Sequence, residues 1–333
     1  MSKQGTLVEG GIDVGAKTLV LAVSRDGERL DDQTFDNTSE GRTKLVRFLQ
    51  KRGKTIRIVL EATGIYGLDT CLALHRAGIE VMLLNPRASA HYAKARMERS
   101  KTDTVDAAVL LDYVQRMPFV RWVPPAAERL ELRAMLRRID ALRRMMVEEK
   151  NRLAAAEANE ELTELIGNDI EVSIRHFERR IEQMERQAMA LVTEHDDLLR
   201  CYELLKTISG IGHATALLLA AELLTLPSDM SARELVAHAG LDPRRYESGT
   251  SVHKAPRISK AGNRRIRAAL FLPAFVAIRY DEYVRAFYER LLRNGKKPLV
   301  ATVAVMRKLL HAIHGVLRSQ TPFDSTRFTR LAA

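Results

Sequence analysis

The chain has 333 residues, 46% of them apolar and 29% charged, with a formal net charge of +11 and a pI near 9.8. That apolar content excludes a disordered polymer, and the positive excess makes an anionic polymer the first partner to consider. Only two cysteines occur, Cys71 and Cys201, far apart and outside any CxxC pattern, which points to a reducing compartment and away from structural zinc.

The charge is unevenly placed. From Arg233 onward there are 20 Lys and Arg against 7 Asp and Glu, a balance of +13, leaving −2 for residues 1–232. The basic surface therefore belongs to the C-terminal third. The N-terminus, MSKQGTLVEGG, lacks a signal-like apolar core, and the greasiest stretches are broken by Glu222 or Pro273, so neither secretion nor membrane contact is expected. With 5% aromatics, nucleic-acid contact is expected to rely on backbone charge more than on base stacking.

In chain order, residues 6–25 read as two strands around a Gly-rich bend, and RDG signals a tight turn into a third strand, RLDDQTF. A helix from Ser39 to Arg52, the strand TIRIVLEATG, the helix GLDTCLALHRAG closed by Gly78, and the strand IEVMLLNP stopped by Pro86 follow. This order predicts an α/β domain with a mixed sheet covered on both faces. Helical patterning resumes at Arg87 and again after Ser100, where KTDTVDAAVLLDYV carries Asp103 and Asp106 on one face of one turn.

Four acids fall at the ends of these elements: Asp13, Glu61, Asp103 and Asp106. Strand ends and helix starts can converge on one edge of an open sheet, and four clustered carboxylates would require a hard cation, Mg²⁺ or Mn²⁺. Each acid also has a plainer reading. Asp103 and Asp106 suit a first helical turn capped by Ser100 or Thr102, Asp13 suits a turn beside Gly15, and Glu61 suits a solvated strand end. Spacing alone leaves both readings open.

VRWVPPAAE, with Pro124 and Pro125, is the clearest linker and ends the first domain, so that the expected domains are residues 1–122, 123–200 and 201–333. In the middle region Leu132, Leu136, Ile139, Leu142 and Met146 form one apolar seam. Ile170, Ile174, Phe177, Ile181, Met184, Ala188 and Leu191 form another, so two long coiled-coil helices are predicted with a bend near Gly167 and Asn168. The seams can close on each other or on a second chain, and dimerisation is favoured because a two-helix hairpin has little core of its own.

LLKTISGIGHATALLLAAEL then reads as a helix-hairpin-helix built on Gly210 and Gly212, whose amides can approach a phosphate; an ordinary helical turn is the alternative. The stretch LDPRRYESGTSVHKAPRISKAG sets Ser248 among Arg244, Arg245, Lys254, Arg257 and Lys260, a charge density suited to a phosphate. Read locally, Ser248 and Gly249 are simply the turn of a hairpin. A basic helix, AGNRRIRAALFLPAFVAI, follows, with Asn263, Arg264, Arg265 and Arg267 at its start and Leu270, Phe271 and Phe275 expected to face inward. The remainder is basic and helical, with NGKKP as a loop.

The ordered series IDVG, LEATGIYG, LNP, KTDTVDA, GIG, AGLDPRRYESG and RISKAGNRRIR resembles the IS one-ten family of insertion-sequence transposases over nearly the whole chain. The resemblance implies a RuvC/RNase H-like domain whose DEDD carboxylates are Asp13, Glu61, Asp103 and Asp106. It further implies a coiled coil and a C-terminal transposase domain with Ser248 as nucleophile. It also implies homo-oligomers, dimers or tetramers, in which one protomer's carboxylates meet another's serine, a structured guide RNA that selects target and donor DNA, and a cytoplasmic, nucleoid-associated bacterial protein.

The expected chemistry is DNA strand exchange through a serine–phosphodiester link aided by a carboxylate-bound Mg²⁺. Arg244 and Arg245 would hold nonbridging oxygens, while Lys254, Arg257 and Lys260 follow the flanking strand. Religation conserves the bond energy, so no nucleotide cofactor is expected. Two other readings remain: a metal-dependent junction endonuclease in which Ser248 is structural, and a non-enzymatic protein that bridges nucleic acids.

Overall fold

The computed structural model describes residues 6–62, 66–98, 100, 102–158, 164–248 and 252–330, and only the backbone of 245–248, 252–256, 329 and 330. The chain forms two compact units that divide between Pro124 and Pro125. The architecture is mixed α/β and mostly helical.

The first unit runs β1 (Leu7–Val14), β2 (Thr18–Arg25), β3 (Glu28–Arg29), β4 (Gln33–Asp36), α1 (Ser39–Gln50), β5 (Thr55–Glu61), α2 (Leu68–Arg76), β6 (Glu80–Leu84), α3 (Pro86–Ala95) and α4 (Asp103–Arg116). Asp26 and Gly27 both take positive φ, +50° and +87°, which is the geometry of a two-residue turn between twisted antiparallel strands. The single third strand expected after that turn is in fact two, β3 and β4, both paired to β2. The intervening Asp31 and Asp32 suit a pleated ladder poorly.

The sheet order is β3-β2-β1-β5-β6, with β4 also on β2; β1–β2 is antiparallel, and β1–β5 and β5–β6 are parallel. Period-two alternation sends Ile12, Leu19, Leu21, Ile58 and Leu60 to the face that packs on Leu45 and Leu49 of α1 and Leu74 of α2. Val20, Ala22, Val59 and Met82 face Ala107, Leu110 and Leu111 of α4. Pro86 both ends β6 and opens α3, since a proline at the first helical position forfeits no hydrogen bond; Asn85 caps that helix from the Arg87 amide.

The second unit runs α5 (Ala127–Glu157), α6 (Glu164–Glu194), α7 (Asp196–Lys206), α8 (His213–Leu223), α9 (Ala232–His238), β7 (Pro243–Ser248), β8 (Val252–Ile258), α10 (Arg264–Ala269), α11 (Phe271–Tyr280), α12 (Glu282–Arg293), α13 (Pro298–Ser319) and α14 (Arg327–Arg330). Ion pairs join Arg143 to Glu185 and Lys150 to Glu178, the latter at 3.2 Å. Numbers rise along α5 as they fall along α6, so the two helices are antiparallel and their seams meet within one chain. Gly167 and Asn168, expected at the bend, lie inside α6 instead, which already begins at Glu164. One helical glycine costs only about 1 kcal/mol, which the stripe from Ile170 onward outweighs.

Leu132, Leu136, Ile139 and Leu142 share one core with α7, α8, α11 and α13. By length and composition α13 could cross a membrane, yet 56% of its most apolar window is buried in this core. The predicted helix after the serine stretch is two, α10 and α11, meeting at Leu270. Leu270 is buried as expected. Phe271 and Phe275 are not: they are 39% and 46% exposed and stack edge to face with centroids 5.0 Å apart, because Pro273, Ala274 and Ala277 occupy the inward face of α11. Cys71 and Cys201 are both buried, and burial pushes each thiol up to about 12, so neither is a reactive thiolate.

Candidate active site

The parallel register of β1 and β5 sets Ile12 beside Leu60, which leaves Asp13 and Glu61 as the next residues on adjacent strands. Asp13 lies two residues beyond Gly11, and Glu61 two beyond Val59, so both point to the face that α4 covers. A Cβ on Gly11 would stand 2.4 Å from both the Ala107 carbonyl oxygen and the Leu111 amide. The absent side chain is thus what lets α4 lie directly on the β1 backbone, with its first turn over the strand ends. Thr102 caps that turn, accepting from the Val105 amide at 3.3 Å, and Asp103 and Asp106 follow it.

The electrostatics show how these acids meet. Burial first, and then the charges of Asp103, Asp106 and Glu61, push the Asp13 carboxyl up to about 6, against the opposing pull of the Val14 amide. The charges of the other three acids thus reach Asp13. Among the described residues, no three His, Cys, Asp or Glu side chains stand close enough together to hold a metal ion. The donor set nevertheless fits a hard divalent cation: every group is a carboxylate, and their repulsion is the kind a cation relieves.

Glu61 and Asp106 line a cleft of about 330 Å³ together with Ser89, Lys94 and Glu98. Ser89 Oγ donates to Glu61 Oε2 at 2.8 Å, which fixes that carboxylate. Sequence reasoning missed Ser89. Its place one turn into a proline-started helix was legible; its reach to a strand end 28 residues earlier was not.

The serine stretch forms a two-stranded ribbon in the second unit. Ser248 ends β7, its backbone opposite Val252, and a register shift lies between Arg244 and Tyr246. The side chains of Arg245, Ser248 and Lys254, and all of Gly249, lie outside the described residues. Arg244 and Arg257, both exposed, are direct cross-strand partners. Like charges so paired repel unless an anion sits between them. The ribbon's base is tied down by Ser259, whose amide donates to the Asp242 carbonyl at 2.9 Å, and by Lys260, whose amide reaches the Gly240 carbonyl at 3.1 Å.

The other basic positions divide into two groups. Lys260 and Arg264 are exposed. Arg267 donates to the Ala239 carbonyl at 2.7 Å, and Arg265 pairs with Asp140 at 3.4 Å. Asn263 caps α10, accepting from the amides of Arg265 and Ile266, and donates to Glu222 Oε2 at 2.8 Å. Gly210, at φ +89°, lies under α11: a Cβ there would be 2.3 Å from the Pro273 carbonyl oxygen, so packing requires this glycine. Gly212 precedes α8 with open space around it.

A transposase family model matches residues 10–156, and the transposase IS116/IS110/IS902 family model matches residues 202–289. The pilin gene-inverting proteins of Moraxella bovis and Moraxella lacunata are each 31% identical to this chain, over 296 and 319 residues. Those alignments cover 87% and 94% of this chain and 90% and 97% of the relatives. Among solved structures, T. thermophilus RuvC in complex with a Holliday junction substrate covers 35% of this chain and 99% of its own, with 13% identity and a TM-score of 0.28.

Proposed function

This chain belongs to the IS116/IS110/IS902 transposase family, and from that premise we propose that it is a DNA recombinase that exchanges strands by serine-mediated phosphoryl transfer. The observation that supports the reading is Asp13, whose carboxyl is raised by burial first and then by the charges of Asp103, Asp106 and Glu61. When bound there, a divalent cation, Mg²⁺ or Mn²⁺, would neutralise charge building on the transferring phosphoryl group.

In this reading Ser248 Oγ attacks a DNA phosphorus. The Oγ–P bond forms, the bond from phosphorus to the leaving deoxyribose oxygen breaks, the serine gives up its proton and the leaving oxygen gains one. Arg244 and Arg257, facing each other across the ribbon, hold nonbridging oxygens and lose their mutual repulsion as they do so. Arg245 and Lys254, on the same strands, and the exposed Lys260 and Arg264 carry the flanking backbone. Reversal onto a new strand end restores a phosphodiester without a nucleotide cofactor. A structured guide RNA, pairing with target and donor, supplies the choice of site, and the working form is a dimer or tetramer.

The test is a suicide DNA substrate offered with and without Mg²⁺. A protein–DNA adduct that needs the cation and is lost in Ser248→Ala supports the proposal. Hydrolysed ends from an active Ser248→Ala variant indicate a junction nuclease, and indifference to Asp103→Asn indicates a bridging protein; either outcome sinks it.

A further inference from the structure

α13 runs through the core of the second unit, yet one stripe of it opens onto a cleft of about 700 Å³. His311, His314 and Gly315 line the cleft from the helix, and Asp324, Arg327 and Phe328 line it from the segment beyond. Lys308, three and seven residues before His311 and Gly315, lies on the same stripe. It is 6% exposed, and its Nζ has no hydrogen-bond partner. The ammonium rests 4.3 Å and 4.9 Å from the ring centroids of Phe287 and Phe328, the second of which is itself a wall of the cleft. Ring faces offset part of the cost of burying an ammonium, but they supply no acceptor.

The charges that act on His311 are basic. Burial holds the His311 imidazole below its usual range, and Arg307, His314, Arg233 and Lys308 all push it the same way. Asp324, the acid of the cleft wall, is already engaged by Arg327 Nε at 3.2 Å and by the Thr326 amide and hydroxyl. His314 is oriented by a 3.0 Å contact from Nε2 to the Met230 carbonyl.

We propose that this cleft binds a phosphate of a nucleic-acid backbone, with Arg327 and His311 on its wall and the enclosed Lys308 across the Phe328 ring from it, as a contact separate from the β7–β8 ribbon. A phosphodiester presents acceptors only, and Lys and Arg present donors only. The inference rests on the reading that the chain acts on nucleic acid, and is independent of the serine and the carboxylates.

The experiment titrates the full-length protein with a labelled DNA duplex, a labelled RNA hairpin and inorganic phosphate over a range of salt. Lys308→Met and Arg327→Gln are each expected to weaken binding of the duplex or the hairpin about tenfold, the worth of one charge-assisted hydrogen bond. Each should also lower the salt slope by about one. A melting temperature no lower than the parent's shows that Lys308→Met still folds, as expected when an unpaired buried charge becomes an apolar isostere.

Both variants binding like the parent, in an assay where Arg257→Gln weakens binding, overturns the site. So does a His311 ring signal that responds to inorganic phosphate but to neither nucleic acid. A parent that binds the duplex yet forms no adduct would remove the serine mechanism and leave this cleft standing.

Discussion

Gly11 of β1 and Ala107 of α4 approach so closely that a single added methyl carbon would stand 2.4 Å from the Ala107 carbonyl. This contact places the first turn of α4, with Asp103 and Asp106, over the end of the strand that carries Asp13. Gly11→Ala is therefore expected to destabilise the first unit by about 1–3 kcal/mol through overpacking. It should also lower Mg²⁺ affinity measured by calorimetry, because the helix must lift from the strand. An unchanged metal affinity would separate α4 placement from the carboxylate edge.

Asp13 gives a pH signature in the metal-free protein. Its carboxyl is raised from 3.8 to about 6, so between those values the folded state holds a proton that the unfolded chain has released. The stability this contributes is fully present below pH 3.8 and is lost as pH rises through 6. Asp13→Asn should raise the thermal midpoint at pH 7 without metal and flatten the slope across that window. Mg²⁺ should stabilise the parent more at pH 7 than at pH 5, and this variant at neither.

Glu222 is 3% exposed and joins three elements: Arg137 of α5 donates to it at 3.0 and 3.2 Å, and Asn263, the cap of α10, at 2.8 Å. Burial works to raise its carboxyl, and those hydrogen bonds outweigh burial and hold it below the usual range. Glu222→Ala leaves an arginine and a helix cap unpaired and should cost about 3 kcal/mol in urea unfolding. The parent should lose this contribution as pH falls below about 4.5, whereas the variant has none to lose.

Phe275 tests the surface of α11. At 46% exposure, truncation to Ala should cost under about 1 kcal/mol, where a core phenylalanine would cost about 3–5 kcal/mol. A loss in the larger range in the isolated monomer would return this ring to the core.

The sequence by itself determined most elements of the first unit, because alternation, caps and turn residues act over a few neighbours. Asn85–Pro86 marked a strand end, Thr102 a helix start, and Asp26–Gly27 a reversal. It also made visible the four acids, the basic serine stretch and the two long seams. Local signals failed where a distant partner decided the outcome. Gly167 and Asn168 lie inside α6 because a single glycine is too weak a breaker against a continuous apolar stripe. Phe271 and Phe275 face outward because the small residues of α11, not its rings, fit against α13. Periodicity could place Asp13 on a face, but only the register of Ile12 on Leu60 and the bare backbone of Gly11 brought Glu61, Asp103 and Asp106 within range of its charge. Strand register and helix docking are set by contacts between residues far apart in the chain, and those contacts exist only once the fold has formed.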